Sequence, residues 1–474
     1  MRFSLRPAAI VACAGFLAAS APNSGVCEEP LKSTPSERKS VHITIYNGNF
    51  GLVKEVRDLA MPKGVHDLYF EGVAAFIDPT SVHIRSLDAP GDLAVLEQNF
   101  EYDLISPAKL MEKYVGLPVE LVQEEEGNRK VVQARLIGTE GGYVYEIDGK
   151  VAVNPPGRVV LPSLPKGLIS KPSLVWKLEN GRERHTVEAT YLTNGINWKA
   201  DYVAVLSGDD RNMDLSGWVT IDNQSGAIYE DAALKLVAGD VNRVQPERVA
   251  RVMEMSDALG AGKQAFEEEA FFEYHLYTLG RKTTIKNNQT KQIALLDAGG
   301  VAVEKSYVYT SYGRYYVARM GGPDKETKVG VYLKLDNSKR NNLGMPLPRG
   351  LVRVYKRDAD GSLQFVGEDQ IDHTPEDETI RVKMGDAFDI VGERVQTDYK
   401  VLGTNTYETS FKTTLRNHKD ENVVVSVIEQ LTGDWEIVAK SHSYVKESSH
   451  RVRFDVPVER KSSADLTFTV RVRY

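Results

Sequence analysis

Alternation of apolar and polar residues with a period of two constrains the fold of this chain more than any other feature. It is clearest near the C-terminus, where apolar residues occupy every second position from Val452 to Val458 and again from Leu466 to Val472. The same alternation occurs at 41–45 and 81–85. Because successive side chains of a strand point to opposite faces of a sheet, this pattern buries one face and leaves the other in water. The sequence therefore predicts an all-β fold.

Turn signals and chain length divide the predicted strands into several units. Asn47-Gly48, Asp148-Gly149 and Asp360-Gly361 are typical of tight turns between neighbouring strands. A chain of 474 residues also exceeds the size at which one core keeps growing, so a multidomain protein is expected. The predicted units are a small N-terminal β domain (41–98), a short helix plus an SH3-like small barrel (99–168), a large β domain (169–403) and a C-terminal immunoglobulin-like β-sandwich portion (404–474).

Two segments depart from the strand pattern. Ser106 and Pro107 have the residue types of a helix N-cap and first helical position, and Gly116 follows at a typical C-terminal position. Between 245 and 270, apolar residues recur at helical spacing without turn residues between them, at Val249, Val252, Met253 and Leu259. We expect 245–270 to be a helical or mobile insertion in the large β domain.

The first 27 residues are typical of a secretory signal peptide and its cleavage region. Arg2 and Arg6 give a positive start, an uncharged run extends from 8 to 19, and small residues lead into a polar stretch. The run is too short to span a bilayer permanently, which takes roughly twenty apolar residues. We expect cleavage near 20–21 or after Cys27, no transmembrane segment afterwards, and a mature protein in the periplasm or on the surface of a bacterium.

The charge and the cysteine content argue against nucleic acid as a partner and against stabilisation by disulfide bonds. The formal net charge is −7 at pH 7, and no basic stripe with interleaved aromatic residues occurs. Nucleic acid is therefore not an expected partner. The two cysteines are Cys13 and Cys27. Since Cys13 lies within the predicted signal peptide, we expect no internal disulfide in the mature protein.

The sequence contains no recognisable catalytic motif. Gly-x-Ser-x-Gly, His-Glu-x-x-His and phosphate-binding glycine loops are all absent. The densest polar cluster, 368–378, offers carboxylates and His373 to a metal ion, but its spacing matches no established metal loop. Pro375 also interrupts any helix that would align the carboxylates, so a solvated strand and turn is the simpler interpretation. We expect no metal site and no cofactor, and no catalytic residue is nominated.

A tyrosine-rich stretch is the best candidate binding surface in the sequence. Its members are Tyr307, Tyr309, Tyr312, Tyr315 and Tyr316. Tyrosine combines an aromatic face with a polar hydroxyl group, which suits contacts with sugar rings or partner proteins. The alternative is that alternate tyrosines fill interior and edge positions of a sandwich.

Three tryptophans are expected in the core rather than at a binding surface. They are Trp198, Trp218 and Trp435, each on a predicted strand with apolar neighbours. Large aromatic side chains in such surroundings are usually well buried.

Five stretches of the chain carry a resemblance to a known family. They are 191–202 (Tyr-Leu-Thr-Asn-Gly-Ile-Asn-Trp-Lys-Ala-Asp-Tyr), 219–241, 272–277, 342–348 and 367–378. These stretches resemble the domain-of-unknown-function 4139 family of exported bacterial proteins, which is related to the mucoidy inhibitor A proteins. The stretch 41–82 looks like the small β domain that precedes this region in mucoidy inhibitor proteins, although the long coiled coil that often separates the two is absent here. The resemblance implies a β-rich envelope protein, supplies no catalytic residues and hints at envelope polysaccharide.

Different classes of function make different structural predictions. We expect an exported envelope protein that acts as a non-catalytic binding or scaffolding module, with an envelope protein or polysaccharide as its partner. The alternative is a polysaccharide-active hydrolase that uses dispersed carboxylates; it predicts a deep cleft with two carboxyl groups about 5 to 10 Å apart. A binding module predicts a shallow face that carries aromatic residues. A structural subunit of a larger assembly would instead show long unpaired edges or an apolar patch.

Overall fold

The computed structural model describes residues 31–125, 128–165, 167–239, 241–243, 266–311, 316–320, 322–323 and 327–474. Strands make up 66% of the structure and helical residues 5%, so the prediction of an all-β fold is confirmed. The predicted signal peptide and cleavage region, 1–27, lies outside the described residues. No helix in the described part of the chain is long and apolar enough to cross a membrane.

Sixteen strands precede the gap at 244–265. They are β1 (Leu31–Ser33), β2 (Arg38–Tyr46), β3 (Phe50–Ala60), β4 (Gly64–Glu71), β5 (His83–Ser86), β6 (Leu93–Glu101), β7 (Pro118–Glu125), β8 (Asn128–Gly138), β9 (Val144–Ile147), β10 (Lys150–Val153), β11 (Arg158–Val160), β12 (Ser173–Asn180), β13 (Arg184–Asn194), β14 (Ile196–Leu206), β15 (Asn212–Asn223) and β16 (Tyr229–Ala238).

Fifteen more strands follow the gap. They are β17 (Phe266–Phe271), β18 (Tyr274–Leu279), β19 (Thr283–Ile285), β20 (Gln289–Ala302), β21 (Glu304–Thr310), β22 (Lys328–Asp336), β23 (Gly350–Arg357), β24 (Leu363–Ile371), β25 (Thr379–Gly403), β26 (Thr406–Asn417), β27 (Val423–Gln430), β28 (Asp434–Lys440), β29 (Tyr444–Ser448), β30 (Arg451–Val458) and β31 (Ser462–Arg473).

One α-helix and four single 3-10 turns complete the described structure. The helix, α1, spans Pro107–Lys113, and the side-chain oxygen of Ser106 accepts a hydrogen bond from the backbone N–H of Lys109 at 3.2 Å. This is the N-cap arrangement that the residue types favour. The 3-10 turns lie at Pro35–Glu37, Pro79–Ser81, Pro90–Asp92 and Lys339–Asn341.

The strands form five sheets. Sheet 1 has the order β1-β4-β12-β6, sheet 2 β10-β9-β8-β7-β11, sheet 3 β17-β18-β16-β2-β3-β13-β5, sheet 4 β20-β15-β14-β23-β24 and sheet 5 β28-β31-β26-β25-β22-β21-β27-β30-β29; β19 pairs with β16 at the side of sheet 3. Most pairs are antiparallel; besides the short β1–β4 pair, β16 pairs with β2, β14 with β23 and β21 with β27 in parallel. The last three pairs join segments that are far apart in the chain.

The predicted N-terminal and large β units share their sheets. In sheet 3, β2 and β3 lie between β16 and β13. In sheet 1, β4 and β6 lie on either side of β12. A single hydrophobic core accordingly extends from Val41 to Met384. Two smaller cores belong to sheet 2 with α1 (Met111 to Tyr145) and to sheet 5 (Tyr307 to Val472).

Sheet 2 corresponds to the predicted SH3-like barrel but is open. None of the five sheets closes on itself in the described residues. The two edge strands of sheet 2 are short, with four residues in β10 and three in β11. Each pairs on one side only, with β9 and β7 respectively, so the hydrogen-bonded ring that defines a barrel is not completed.

Most of the predicted insertion, 245–265, lies outside the described residues. Its last five residues were assigned incorrectly, because 266–270 belong to β17, which pairs antiparallel with β18. The ring of Phe266 is 5% exposed and joins the largest core. The structure of 266–270 is therefore set by pairing with β18, and the helical spacing of apolar residues earlier in the sequence does not predict it.

The tryptophans divide between core and surface. Trp198 is buried in the largest core at 1% exposure, as predicted. Trp435 is half-buried against the core of sheet 5. Trp218 is also only half-buried and lies on the side of sheet 4 that faces away from the largest core. The prediction for Trp218 is wrong, because β15 is apolar on one face only and Trp218 occupies the other.

Candidate functional site

Three of the predicted tyrosines lie in the interior of sheet 5. Tyr307, Tyr309 and Tyr316 are 8%, 0% and 1% exposed and belong to one hydrophobic core. The hydroxyl of Tyr316 donates to buried Glu429 at 3.0 Å, and burial raises the pKa of this phenol well above its ordinary value. These positions agree with the interior alternative. Tyr312 and Tyr315 lie outside the described residues, so a binding role for the stretch as a whole stays a prediction.

A different place, here called the pocket, combines aromatic and polar side chains at the surface. It has a volume of about 520 Å³ and forms where the β2–β3 hairpin meets the first residues of β14 and β23. Its lining residues are Tyr46, Asn47, Gly48, Phe50, Asn197, Trp198, Lys199, Ala200, Gly239, Val241, Arg349, Gly350, Leu351, Gln370 and His373. Among these described lining residues there is no aspartate or glutamate.

The β2–β3 hairpin supplies the aromatic wall of the pocket. Asn49 adopts a left-handed conformation (φ 58°) at the tip, which reverses the chain within three residues. As a result the rings of Tyr46 and Phe50 stack with their centroids 4.4 Å apart and nearly parallel planes. The Arg243 guanidinium lies 4.4 Å from the centre of the Phe50 ring, within the range of a cation–π contact. Burial raises the pKa of Tyr46, so its phenol is protonated at neutral pH.

Two asparagines leave acceptors in this region without a partner. The side-chain nitrogen of Asn47 donates to the carbonyl of Trp198 at 3.0 Å and so fixes the hairpin against β14. The side-chain oxygens of Asn47 and Asn197 are buried, yet they accept no hydrogen bond from any described residue. A buried acceptor without a donor costs about 1 to 3 kcal/mol. An incoming hydrogen-bond donor would offset this cost.

The opposite wall is formed by the start of β23 and the end of β24. With the Gln370 amide assigned so that its oxygen faces Arg349, the orientation that its surroundings require, this oxygen accepts two hydrogen bonds from the guanidinium at 2.8 and 3.2 Å. The ring nitrogen Nδ1 of His373 accepts the backbone N–H of Arg349 at 3.1 Å. Because Nδ1 acts as an acceptor, the neutral imidazole carries its proton on Nε2. This wall therefore presents donors.

A second concavity, the charged groove, is larger but differently equipped. It has a volume of about 970 Å³ and runs between the β14–β15 turn and sheet 5. Asp210 accepts a hydrogen bond from Lys305 at 2.6 Å and another from Lys356. Partial burial alone would raise the pKa of Asp210, but these two hydrogen bonds outweigh it and hold the pKa below its ordinary value.

Further charged side chains of the charged groove also have partners within the protein. Lys419 donates to the hydroxyl of Tyr307 at 2.8 Å and to Glu421, whose pKa that hydrogen bond lowers. Glu447 contacts Arg451 at 2.9 Å and Arg453 at 3.4 Å. A glycosidase acid needs a raised pKa, whereas the pKa values of Asp209, Asp210 and Glu421 in this groove are all lowered.

In the fold, a serine, a histidine and an asparagine form a hydrogen-bonded set that no sequence motif predicted. Ser86 Oγ lies 2.9 Å from Nδ1 of His185, and Nε2 of His185 lies 2.8 Å from Oδ1 of Asn180. These three residues are at most 3% exposed. The side-chain nitrogen of Asn180 donates to the carbonyls of Met61 and Pro62 at 3.1 and 2.7 Å. The set thus stabilises the chain where β12 ends, out of reach of a substrate.

The acidic cluster 368–378 is spread over separate partners. Glu368 contacts Arg353 at 3.2 Å, and Glu376 contacts Lys339 at 2.7 Å. Oδ2 of Asp369 accepts the backbone N–H of Lys383 at 2.6 Å. Across the described ranges, no group of three or more His, Cys, Asp or Glu side chains is placed to hold a metal ion.

The sequence did not predict the pocket, because none of the residues that line it forms an unusual pattern in its own stretch of sequence. Asn47-Gly48 signalled a turn, and it does form one, but nothing in it indicated which strand the turn would contact. Asn197 and Trp198 lie in a stretch that carried the family resemblance, and Gln370 and His373 lie in the cluster that was weighed for metal binding. A search for asparagines beside buried aromatic residues would have found the centre of the pocket.

Comparison with known proteins places most of the pocket inside a family match. No curated protein matches the chain. A family model described as "Domain of unknown function (DUF4139)" matches residues 187–474, which include the β14, β23 and β24 parts of the pocket but not the β2–β3 hairpin. The match covers more than half of the chain, and the chain therefore belongs to the DUF4139 family.

Proposed function

We propose that this protein is an exported, non-catalytic binding module and that the pocket binds a saccharide of the bacterial envelope. One observation carries the proposal: the pocket brings stacked aromatic rings, unpaired buried amide oxygens and cationic donors together, with no carboxylate among its described lining residues. Export is supported by the positive start, apolar run and small-residue exit of 1–27.

The chemistry of a sugar complements this set of groups. Sugar hydroxyls donate and accept, so they can satisfy the side-chain oxygens of Asn47 and Asn197 and also accept from Lys199 or Arg349. The apolar C–H face of a sugar ring can pack on the half-buried ring of Tyr46, which Phe50 supports from behind. The described lining has two cations, Lys199 and Arg349, and no anion, so it also admits sugars that carry a carboxylate.

The absence of carboxylates from the described lining residues argues against catalysis in the pocket. Glycoside hydrolysis canonically requires a general acid and a second carboxylate on either side of the scissile bond. Neither is present among the described residues that line the pocket. The arrangement suits retention of a glycan rather than its cleavage.

The test is titration calorimetry of the purified protein with defined glycans. The probes are N-acetylglucosamine hexasaccharide, which is neutral, and hyaluronan octasaccharide, which carries carboxylates. We expect at least one to bind, and Asn197→Ala to weaken that binding about fivefold. Asn212→Ala, at an exposed position at the other end of sheet 4, is the matched control and should bind normally. Absence of binding by both probes at millimolar concentration would refute the saccharide proposal.

One observation favours a hydrolase as the second candidate. Next to the pocket, buried Asp201 and exposed Glu368 both contact Arg353, at 3.9 and 3.2 Å, so two carboxylates share one guanidinium group. The discriminating measurement is the release of reducing ends from the same two probes. A hydrolase would lose this activity in Glu368→Gln and keep its binding, whereas the binding module releases none in either form.

A further inference from the structure

The side of sheet 4 that faces away from the largest core, here called the outer face, adjoins the pocket. On β14, Trp198, Ala200 and Tyr202 are buried in the core, whereas Asn197 and Lys199 point to the other side and are half-buried. Asn197, Lys199, Leu351 and Gln370 all line the pocket as well as belonging to the outer face. The pocket therefore opens directly onto this face.

Aromatic side chains continue along the outer face beyond the pocket. Trp218 pairs with Asp201, which pairs in turn with Leu351, so Trp218 is level with the pocket end of the face. Four residues further along β23, Tyr355 pairs with Phe365, and their rings meet edge to face with centroids 5.7 Å apart. At a rise of about 3.3 Å per residue, the two positions are about 13 Å apart along the strand.

Polar side chains cross sheet 4 beside these aromatic residues, and Arg353 and Glu368 lie between the level of Trp218 and that of the Tyr355–Phe365 pair. Thr220 donates to Oδ2 of Asp201 at 2.7 Å, and Gln292 donates to Thr220 at 3.2 Å. Arg353 lies between Asp201 and Glu368. These contacts form one row of hydrogen-bonding groups across all five strands of sheet 4. Aromatic residues at the two ends with polar groups between them match a chain of sugars, which alternates apolar ring faces and hydroxyls.

We propose that the outer face extends the pocket and holds further units of a linear glycan chain, with Trp218 and the Tyr355–Phe365 pair as stacking surfaces. This inference rests on the proposed function of the pocket and specifies its substrate class as a polymer rather than a single sugar. Phe365 is 57% exposed although it lies in a regular strand, which leaves its ring accessible. A stacked ring of this kind contributes to affinity only when the glycan is long enough to reach it.

The test compares short and long probes on one variant. Calorimetry is carried out with the disaccharide and hexasaccharide of N-acetylglucosamine and with hyaluronan disaccharide and octasaccharide. Phe365→Ala should weaken binding of the long probe about fivefold and leave the disaccharide of the same series unchanged. Phe388→Ala, which removes a 95% exposed ring from sheet 5, is the matched control. Both substitutions are at exposed positions, so circular dichroism should show folded proteins.

The outcomes separate this inference from the proposed function. Tighter binding of long probes than of short ones, lost in Phe365→Ala only, supports the extended face. Equal affinity for short and long probes, unchanged by Phe365→Ala, overturns the extended face while the pocket stands. If no probe binds at all, the pocket proposal fails and the extended face fails with it. Binding of a protein partner that Phe365→Ala abolishes, without glycan binding, would also overturn the inference.

Discussion

The pocket and the charged groove are both concave and polar, but they differ in where their hydrogen bonds go. In the charged groove, Asp210 holds two lysines and Glu447 contacts two arginines, so these charges have partners within the protein. Although Nε of Arg451 and of Arg453 makes no well-aligned hydrogen bond, each lies within 3.3 Å of a carboxylate. In the pocket, the side-chain oxygens of Asn47 and Asn197 accept nothing from the described residues. The smaller concavity is thus the better candidate site, because unsatisfied hydrogen-bonding capacity indicates a ligand better than volume does.

The largest effect should come from Gly350, where the pocket depends on close strand packing. A Cβ atom added at this position would lie 2.3 Å from the carbonyl oxygen of Ala200, the residue with which Gly350 pairs. Gly350→Ala therefore has to separate β23 from β14, and we expect a loss of about 3 kcal/mol in the free energy of unfolding, measured by urea denaturation.

Gly208→Ala is the control for this substitution, because an added Cβ there meets nothing within 4 Å. A Gly350→Ala protein as stable as the Gly208→Ala protein would show that the pocket floor is more adaptable than the contact implies.

The second effect tests the charged groove as a structural rather than a binding feature. Asp210→Asn removes the carboxylate that Lys305 and Lys356 share, and all three side chains are less than one third exposed. We expect a loss of about 2 kcal/mol in the free energy of unfolding and unchanged glycan affinity. Asp420→Asn, with a side chain that is 91% exposed, alters the charge equally and should change stability by less than about 0.5 kcal/mol. A loss of glycan binding in Asp210→Asn would reverse the assignment of the two concavities.

The third expected effect is the reverse of the second: glycan affinity should fall while stability stays unchanged. Asn197→Ala removes a buried acceptor that has no partner, so the free energy of unfolding should stay within about 0.5 kcal/mol of the parent value although glycan affinity falls. Urea denaturation and calorimetry on the same sample measure both quantities. A large drop in stability would show that Asn197 is a structural residue, and the comparison between the two concavities would lose its basis.

The smallest effect is the pH dependence of the charged groove. The pKa values of Asp210 and Glu421 are lowered in the folded protein. Their contribution to stability is therefore fully present above the ordinary carboxyl pKa of about 4 and is lost as the pH falls through the lowered folded value. Urea midpoints measured from pH 6 down to pH 3 should fall less steeply for Asp210→Asn than for the parent. Identical dependence of the urea midpoint on pH in the parent and the variant would mean that Asp210 has the same pKa in the folded and unfolded protein.

Local pattern predicted the elements better than their arrangement. The alternation from Val452 to Val458 and the residues Ser106 and Pro107 correspond to β30 and to the N-terminus of α1, because these depend on neighbours within a few positions. The prediction for Trp218 was wrong, since apolar neighbours do not tell which face of a strand a large ring occupies. The open form of sheet 2 was missed for a related reason: closure depends on the length of edge strands such as β11.

The sequence by itself determined that this is an all-β protein, because a period of two leaves a strand as the only element that buries one consistent face. It did not determine which strands pair. The tertiary structure alone brought Asn47, Asn197 and Arg349 together from segments about 150 residues apart. Strand partners are chosen by the packing of whole faces and by long-range parallel pairing, as between β14 and β23, and no local pattern encodes those contacts. The pocket, and with it the proposed function, is a product of that pairing.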